Sequence, residues 1–255
     1  MTDHAETVQT QFDPQAAAYL TSRVHAEGAD LQRAVALVSA AIPADTGRAL
    51  DVGCGAGHLA YALRPHLKRT VAVDPSPSML ATVAETARAK GLVIETVEAK
   101  SDALPFADGE FCVAASRYSA HHWQNLDVAM GEMRRVVKRG GFLLMIDVLG
   151  DEDDLVDTHM QAIELLRDRS HRRNLKASQW RALIEASNFE IVEAAVWPLP
   201  LAFDPWISRM RTSQPRADMI RTVLAEAPAE VRDALDVQPD GSFTLRTGLF
   251  WAKAV

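Results

Sequence analysis

With 255 residues, 48% of them hydrophobic and 24% charged, the chain has the composition of one large globular domain, which excludes disorder and low complexity. A net charge of −7 and a pI near 5.6 argue against a nucleic-acid partner and for a small molecule. Two cysteines, Cys54 and Cys112, without a CxxC pair, support neither a disulfide framework nor a cysteine zinc site.

The first forty-odd residues read as a helical cap over 1–47. Leu31, Ala34, Val35, Leu37 and Val38 recur there at helical spacing until Pro43 ends the pattern. The start, MTDHAETVQT, is polar and acidic and has no hydrophobic core of a secretory signal, so a cytoplasmic location is expected. From Arg48 short β-rich runs alternate with amphipathic helices. Ala49–Val52 reads as a strand, 59–67 as a helix, and 70–73 as a second strand followed by Asp74. Pro77 is placed to open a helix whose apolar positions Leu80, Val83, Ala84 and Ala87 share a face before Gly91 stops it. Strands follow at 93–97 and 111–115. A helix through Leu126, Ala129, Met130, Met133 and Val137 ends in Lys138 and Arg139 before Gly140-Gly141, and 142–148 is a fifth strand.

This β-α-β-α rhythm implies a doubly wound α/β fold, a parallel sheet with helices on both faces. After Gly150 the rhythm changes. An acidic start at 151–154 opens a long helical stretch, a second helix covers 178–187, and strands are expected at 189–196 and 243–252. The longest apolar stretch, 194–203, is interrupted by Pro198 and Pro200 and falls short of the roughly 20 residues of a membrane span. Between the last two strands lies a polar, proline-punctuated insertion, 204–240, read as a lid in which Trp206, Ile207 and Met210 pack over a pocket or form the insertion's own core. The expected organisation is one domain over 1–255, with a core at 48–150 and insertions at 151–188 and 204–240.

The strongest chemical signal is LDVGCGAG at 50–57, after a strand and before a helix. Glycines there permit a tight turn and close approach of a ligand to unpaired helix N–H groups. The pattern is GxGxG, preceded by Asp51. A dinucleotide fingerprint would need a third glycine at 58, where His58 stands. Asp74, 21 positions after Gly53, is suited to accept both hydroxyls of a ribose or to cap the helix that begins near Pro77.

Together LDVGCGAG, VAVDPSPSML, DALPFADGEF and MRRVVKRGGFLLMIDV resemble the class I S-adenosylmethionine-dependent methyltransferases. The order and spacing are similar to the branch of the ubiquinone/menaquinone C-methyltransferases and malonyl-carrier O-methyltransferases. The resemblance is specific over 48–148, looser at 19–25 and weak after Gly150. It implies a seven-stranded Rossmann-like sheet whose last strand runs antiparallel, with S-adenosyl-L-methionine as cofactor. By the family pattern Gly53, Gly55 and Gly57 approach the methionine part, Asp74 holds the ribose and Met79 packs near the adenine. The candidate cofactor set is completed by Tyr19, Asp51, Pro75, Ser101, Asp102 and Arg117. One departure is Lys100, where many relatives carry an acid that holds the adenine amino group. A lysine cannot accept a hydrogen bond, so that role falls to backbone, to Ser101 or to Asp102.

At the end of the fourth strand, SRYSAHHW (116–123) lies where open α/β sheets bind ligands. His121 and His122 are candidate general bases, one of them facing the cavity. Tyr118 is a third catalytic candidate or a cavity wall. Adjacent side chains are expected to point apart, which argues against a metal shared by the two histidines, and no metal is expected. The basic run from Arg167 to Lys176 is either a solvated helix face or an anion site. There is no GxSxG, HExxH, Walker-type GK[ST] or Tyr-x-x-x-Lys. The reading is a methyltransferase, monomer or homodimer, moving a methyl group in line onto a small acceptor, with anionic molecules among the candidates. The alternatives are a module that binds the cofactor or its demethylated product without turnover, and a nicotinamide oxidoreductase.

Overall fold

In the computed structural model, which describes His4, Thr7, Gln11 and residues 28–255, one sheet organises the chain. Its strands are β1 (Arg48–Val52), β2 (Arg69–Asp74), β3 (Glu95–Glu98), β4 (Phe111–Arg117), β5 (Val137–Leu149), β6 (Phe189–Leu201) and β7 (Phe243–Ala254), in the order β3-β2-β1-β4-β5-β7-β6. The β1, β2, β3, β4 and β5 pairings are parallel, and β7 runs antiparallel to both β5 and β6. This is the doubly wound, seven-stranded arrangement that the alternation and the family resemblance imply.

Burial explains the layers. Leu50, Val52, Val71 and Val73 turn to one face, where they meet α4 (Leu126–Val136) and α6 (Ala177–Ala186) through Met130, Met133, Trp180 and Ile184. Ala49, Val113 and Ala115 turn to the other face, under α1 (Ala29–Ala41) and α2 (His58–Leu63), and Ala72 meets α3 (Pro77–Ala89) through Val83 and Ala87. A further core joins α5 (Asp154–Arg167) to α7 (Phe203–Arg209), α8 (Gln214–Ala225) and α9 (Ala229–Ala234), through Met160, Ile163, Trp206, Ile220 and Val231.

Several boundaries differ from the sequence pattern, each for a local reason. The helix expected to reach Leu67 ends at Leu63, and a 3-10 turn, Arg64–His66, replaces its last part because Pro65 has no N–H for the helical ladder. After α3, Gly91 takes φ +67° and Leu92 N–H donates to Ala87 O, a left-handed helix stop that delays β3 to Glu95. Val137 is already paired with Phe111 in the sheet, so α4 ends at Val136, and Lys138 and Arg139, expected to close the helix, lie in β5. β6 runs through Pro198 and Pro200 to Leu201, five residues beyond its expected end. The basic run is not a helix face. α5 stops at Arg167, and the loop that follows buries Asp168, Ser170, His171 and Asn174 while Arg173 pairs with Asp157 and Lys176 with Asp154. Tyr19 and the looser resemblance at 19–25 lie outside the described residues.

Candidate active site

A cavity of about 490 Å³ spans the C-terminal ends of β3, β2, β1 and β4, at the point where the sheet's connections reverse direction. The glycine turn forms its floor. Gly53, Gly55 and Gly57 all take left-handed backbone, at φ +67°, +49° and +85°, which is strained for residues with a Cβ. A Cβ at Gly53 would lie 2.0 Å from Ser119 Oγ, and one at Gly57 would lie 2.9 Å from Tyr61 and Val83. At Gly55 an added Cβ would meet nothing within 4 Å. Backbone is therefore presented to an open space, as a close-approaching ligand requires. Asp51 lies beneath the turn, 1% exposed, and accepts from Ala60 N–H at 3.0 Å. Burial pushes its carboxyl up to about 7 against that hydrogen bond, with the Asp74 charge adding to the rise.

Asp74 ties the two loops together. Its Oδ2 accepts from Gly55 N–H at 2.9 Å and its Oδ1 from Ser76 N–H at 2.9 Å, and each carboxylate oxygen can accept more than one hydrogen bond. The helix cap is Ser76, not Asp74: its Oγ accepts from Met79 N–H at 3.2 Å. Pro75 and Met79 line the cavity, with Lys100, Ser101 and Asp102 on the same rim. Asp102 is held by Asn125 Nδ2 at 2.8 Å. Glu98, overlooked in the sequence, also lines the cavity and is the parallel-register partner of Asp74; its place at a strand's C-terminal end is the signal that could have found it. Arg135 donates to Leu104 O at 2.9 Å and Phe106 O at 2.7 Å, so the DALPF segment is braced by the MRRVV helix.

On the β4 side Arg117 and Asp30 form a buried ion pair at 2.6 Å, 4% and 7% exposed. Tyr118 takes φ +54°, lies with its ring 4.6 Å beneath the Arg117 guanidinium and shares a 3.0 Å hydrogen bond with Thr247 Oγ1. Burial pushes its hydroxyl up to about 12, and the residue lines the cavity. Trp123 Nε1 donates to Ser119 Oγ at 3.0 Å. His121 and His122 sit on a 3-10 turn and do not point apart. Their ring centroids are 4.2 Å apart, and His171 lies 5.9 Å from His121. Among the described residues no group of three or more His, Cys, Asp or Glu is arranged to hold a metal. His122 lines the cavity. His121 Nδ1 meets Asp147 Oδ1 at 2.6 Å, a partner that the sequence did not suggest. His4 Nε2 lies 3.1 Å from His122 O and completes this wall.

Residues 50–145 match the family model of the methyltransferase domain. The YafE protein of Escherichia coli is 38% identical over 193 residues, 75% of this chain and 93% of that protein. YcgJ of Bacillus subtilis, named a methyltransferase, is 34% identical over 228 residues, 89% of each. The chain is a class I S-adenosylmethionine-dependent methyltransferase. The crystal structure of YcgJ matches this methyltransferase with a TM-score of 0.80 at 31% identity, over 88% of this chain and 98% of that one. The likeness to the ubiquinone/menaquinone biosynthesis C-methyltransferase UbiE of Sinorhizobium fredii is narrower. It is 37% identical over 120 residues, 45% of this methyltransferase and 46% of that protein.

Proposed function

We propose that this methyltransferase binds S-adenosylmethionine across the glycine turn and delivers its methyl group in line to a small-molecule acceptor. The observation that carries the reading is Gly55, whose left-handed backbone faces open space while its N–H is fixed by Asp74. The methionine part would lie along Gly53–Gly55 and the ribose hydroxyls on Asp74. The adenine would lie between Pro75, Met79 and the 98–102 rim, where Glu98, Ser101 and Asp102 are the acceptors and Lys100 is not. The bound cofactor supplies an electrophilic methyl on a sulfonium, so the protein's work is alignment and exclusion of water. The Asp30–Arg117 pair, the braced Tyr118 and the Ser119–Trp123 hydrogen bond hold the β4 end of the cavity rigid for that purpose.

Calorimetric titration with S-adenosylmethionine, S-adenosylhomocysteine and NAD tests the cofactor. Both adenosyl ligands are expected to bind and NAD to give no heat. Asp74→Ala is expected to weaken binding about 10–100-fold, the range of a lost hydrogen bond to a charged group. Failure of both adenosyl ligands to bind the folded wild type overturns the reading.

A further inference from the structure

We propose that His121 and Asp147 form a base and its orienting partner one ring behind the cavity wall formed by His122. The acceptor is accordingly a molecule that must lose a proton when methylated: a phenol, an enol or another activated carbon acid. This rests on the methyl-transfer reading above and adds to it the substrate class.

Asp147 stands near the C-terminal end of β5, 3% exposed. Its Oδ2 accepts from His121 N–H at 3.1 Å, and its Oδ1 accepts from Val148 N–H at 2.9 Å and faces His121 Nδ1 at 2.6 Å. A carboxylate only accepts, so Nδ1 carries the proton and Nε2 holds the lone pair. Among the described residues Nε2 has no hydrogen-bond partner, although the side chain is only 16% exposed. A purely structural histidine at this depth would use both nitrogens. The turn itself is clamped, because Arg172 N–H and Arg173 N–H both donate to His121 O, at 2.9 and 3.2 Å.

The neighbouring rings are committed elsewhere. His122 Nδ1 donates to Ser170 O at 3.0 Å, and burial with the adjacent His121 pushes its pKa down to about 4. His171 Nε2 donates to Gln161 Oε1 at 2.9 Å, and burial pushes it down to about 2. Both remain neutral at working pH. At His121 burial also favours the neutral form, but the charge and hydrogen bond of Asp147 outweigh it, aided by Glu164 of α5 and Asp168 of the following loop, and the net shift is upward. Of the three rings, His121 alone is built to take up a proton and keep it, and it stands one ring away from the cavity wall formed by His122.

A base beside this wall has a purpose only if the acceptor carries a proton to remove. A tertiary amine or thioether attacks through a lone pair it already has. In an ionising acceptor the O–H or C–H bond breaks and its electron pair stays on that atom, which thereby becomes the nucleophile. The proton passes to His121 Nε2, the resulting imidazolium is held by the Asp147 carboxylate, and the proton leaves to solvent after the product.

Long-range ¹H–¹⁵N NMR titration of the histidine imidazoles tests the pair without turnover. His121 is expected to show the Nδ1-protonated tautomer in its neutral form and to titrate above the ordinary histidine value, with Asp147→Asn lowering that value by about one pH unit or more. A neutral His121 protonated at Nε2, or a titration unmoved by Asp147→Asn, overturns the proposal. S-adenosylhomocysteine affinity, measured on wild type, Asp147→Asn and His121→Gln, is expected to stay within about twofold. Its absence in wild type would sink the cofactor reading instead and leave the NMR result standing. With S-adenosylmethionine bound, release of S-adenosylhomocysteine is then followed with phenols, 1,3-dicarbonyl compounds and tertiary amines. Turnover of the first two, reduced about 100-fold or more in His121→Gln, supports the class. Turnover led by tertiary amines, retained in His121→Gln, or absent with phenols and dicarbonyls despite cofactor binding counts against it.

Discussion

Gly53 and Gly55 share a left-handed backbone and differ in what surrounds them. An alanine at either costs about 1–2 kcal/mol of backbone strain. At Gly53 the new methyl must also displace Ser119 Oγ, 2.0 Å away, and with it the hydrogen bond from Trp123 Nε1. At Gly55 the methyl meets no protein atom and enters the space assigned to the ligand. Gly53→Ala is therefore expected to lower the melting temperature clearly more than Gly55→Ala. Gly55→Ala should lose S-adenosylhomocysteine affinity, about tenfold or more, out of proportion to its small thermal shift. Paired thermal and calorimetric measurements on the two variants separate the effects, and equal losses of stability would refute the distinction. Asp51 adds a pH signature. Its carboxyl is raised in the fold from the ordinary value to about 7, so between about pH 4 and pH 7 the folded state holds a proton that the unfolded state has released. Stability from this group therefore falls as pH rises through that window. Asp51→Asn, which can still accept from Ala60, should be increasingly more stable than wild type from pH 4 to pH 7, by up to a few kcal/mol. Denaturant unfolding at several pH values measures the difference; a pH-independent difference would contradict the buried-carboxyl account.

The edge strand β6 shows an element at which propensity and structure disagree for a useful reason. Pro198 and Pro200 end the predicted strand, yet β6 pairs with β7 through both, opposite Arg246 and Thr244. The two positions have the same parity, so their missing N–H groups lie on one side. Since pairing with β7 is kept, that side is the open edge. Val192 and Val196, 60% and 52% exposed, make this an edge that needs blunting. Pro198→Thr with Pro200→Thr should leave the melting temperature nearly unchanged and increase concentration-dependent self-association in light scattering; an unaltered association state would show that the prolines are not the guard. The same contrast explains what was legible in the sequence. Strands and helices inside the repeating β-α pattern were readable because burial on both faces leaves continuous apolar runs, and the glycine turn was readable because its signal is local. Asp147 and Asp30 were not. Each acts through a residue distant in the chain, Asp147 through His121 and Asp30 through Arg117, and their own neighbourhoods look like ordinary strand and helix ends.

At the scale of the whole molecule, the sheet gathers its chemistry at one edge and its late insertions around a separate core. None of the described residues lining the 490 Å³ cavity comes from 203–240. That segment instead packs on α5 and β7, with Trp206 2% exposed, its ring edge-on to Phe243 at 4.9 Å and beneath the Arg167 guanidinium at 4.9 Å. Its one described tie to the N-terminal segment is Gln11 Nε2, which donates to Met210 O at 3.0 Å. Removing the indole in Trp206→Ala deletes the centre of this core, at a cost of about 3–5 kcal/mol. For a chain of this size that corresponds to a fall in melting temperature of roughly 6–20 °C. Because the cavity floor is built from β1, β2 and their turns, S-adenosylhomocysteine affinity of the still-folded variant should remain within about twofold of wild type. Affinity that fell in step with stability would show that the insertion reaches the cofactor end of the site. A loss confined to acceptor turnover, with cofactor affinity kept, would place the insertion over the acceptor, the lid position expected from the sequence.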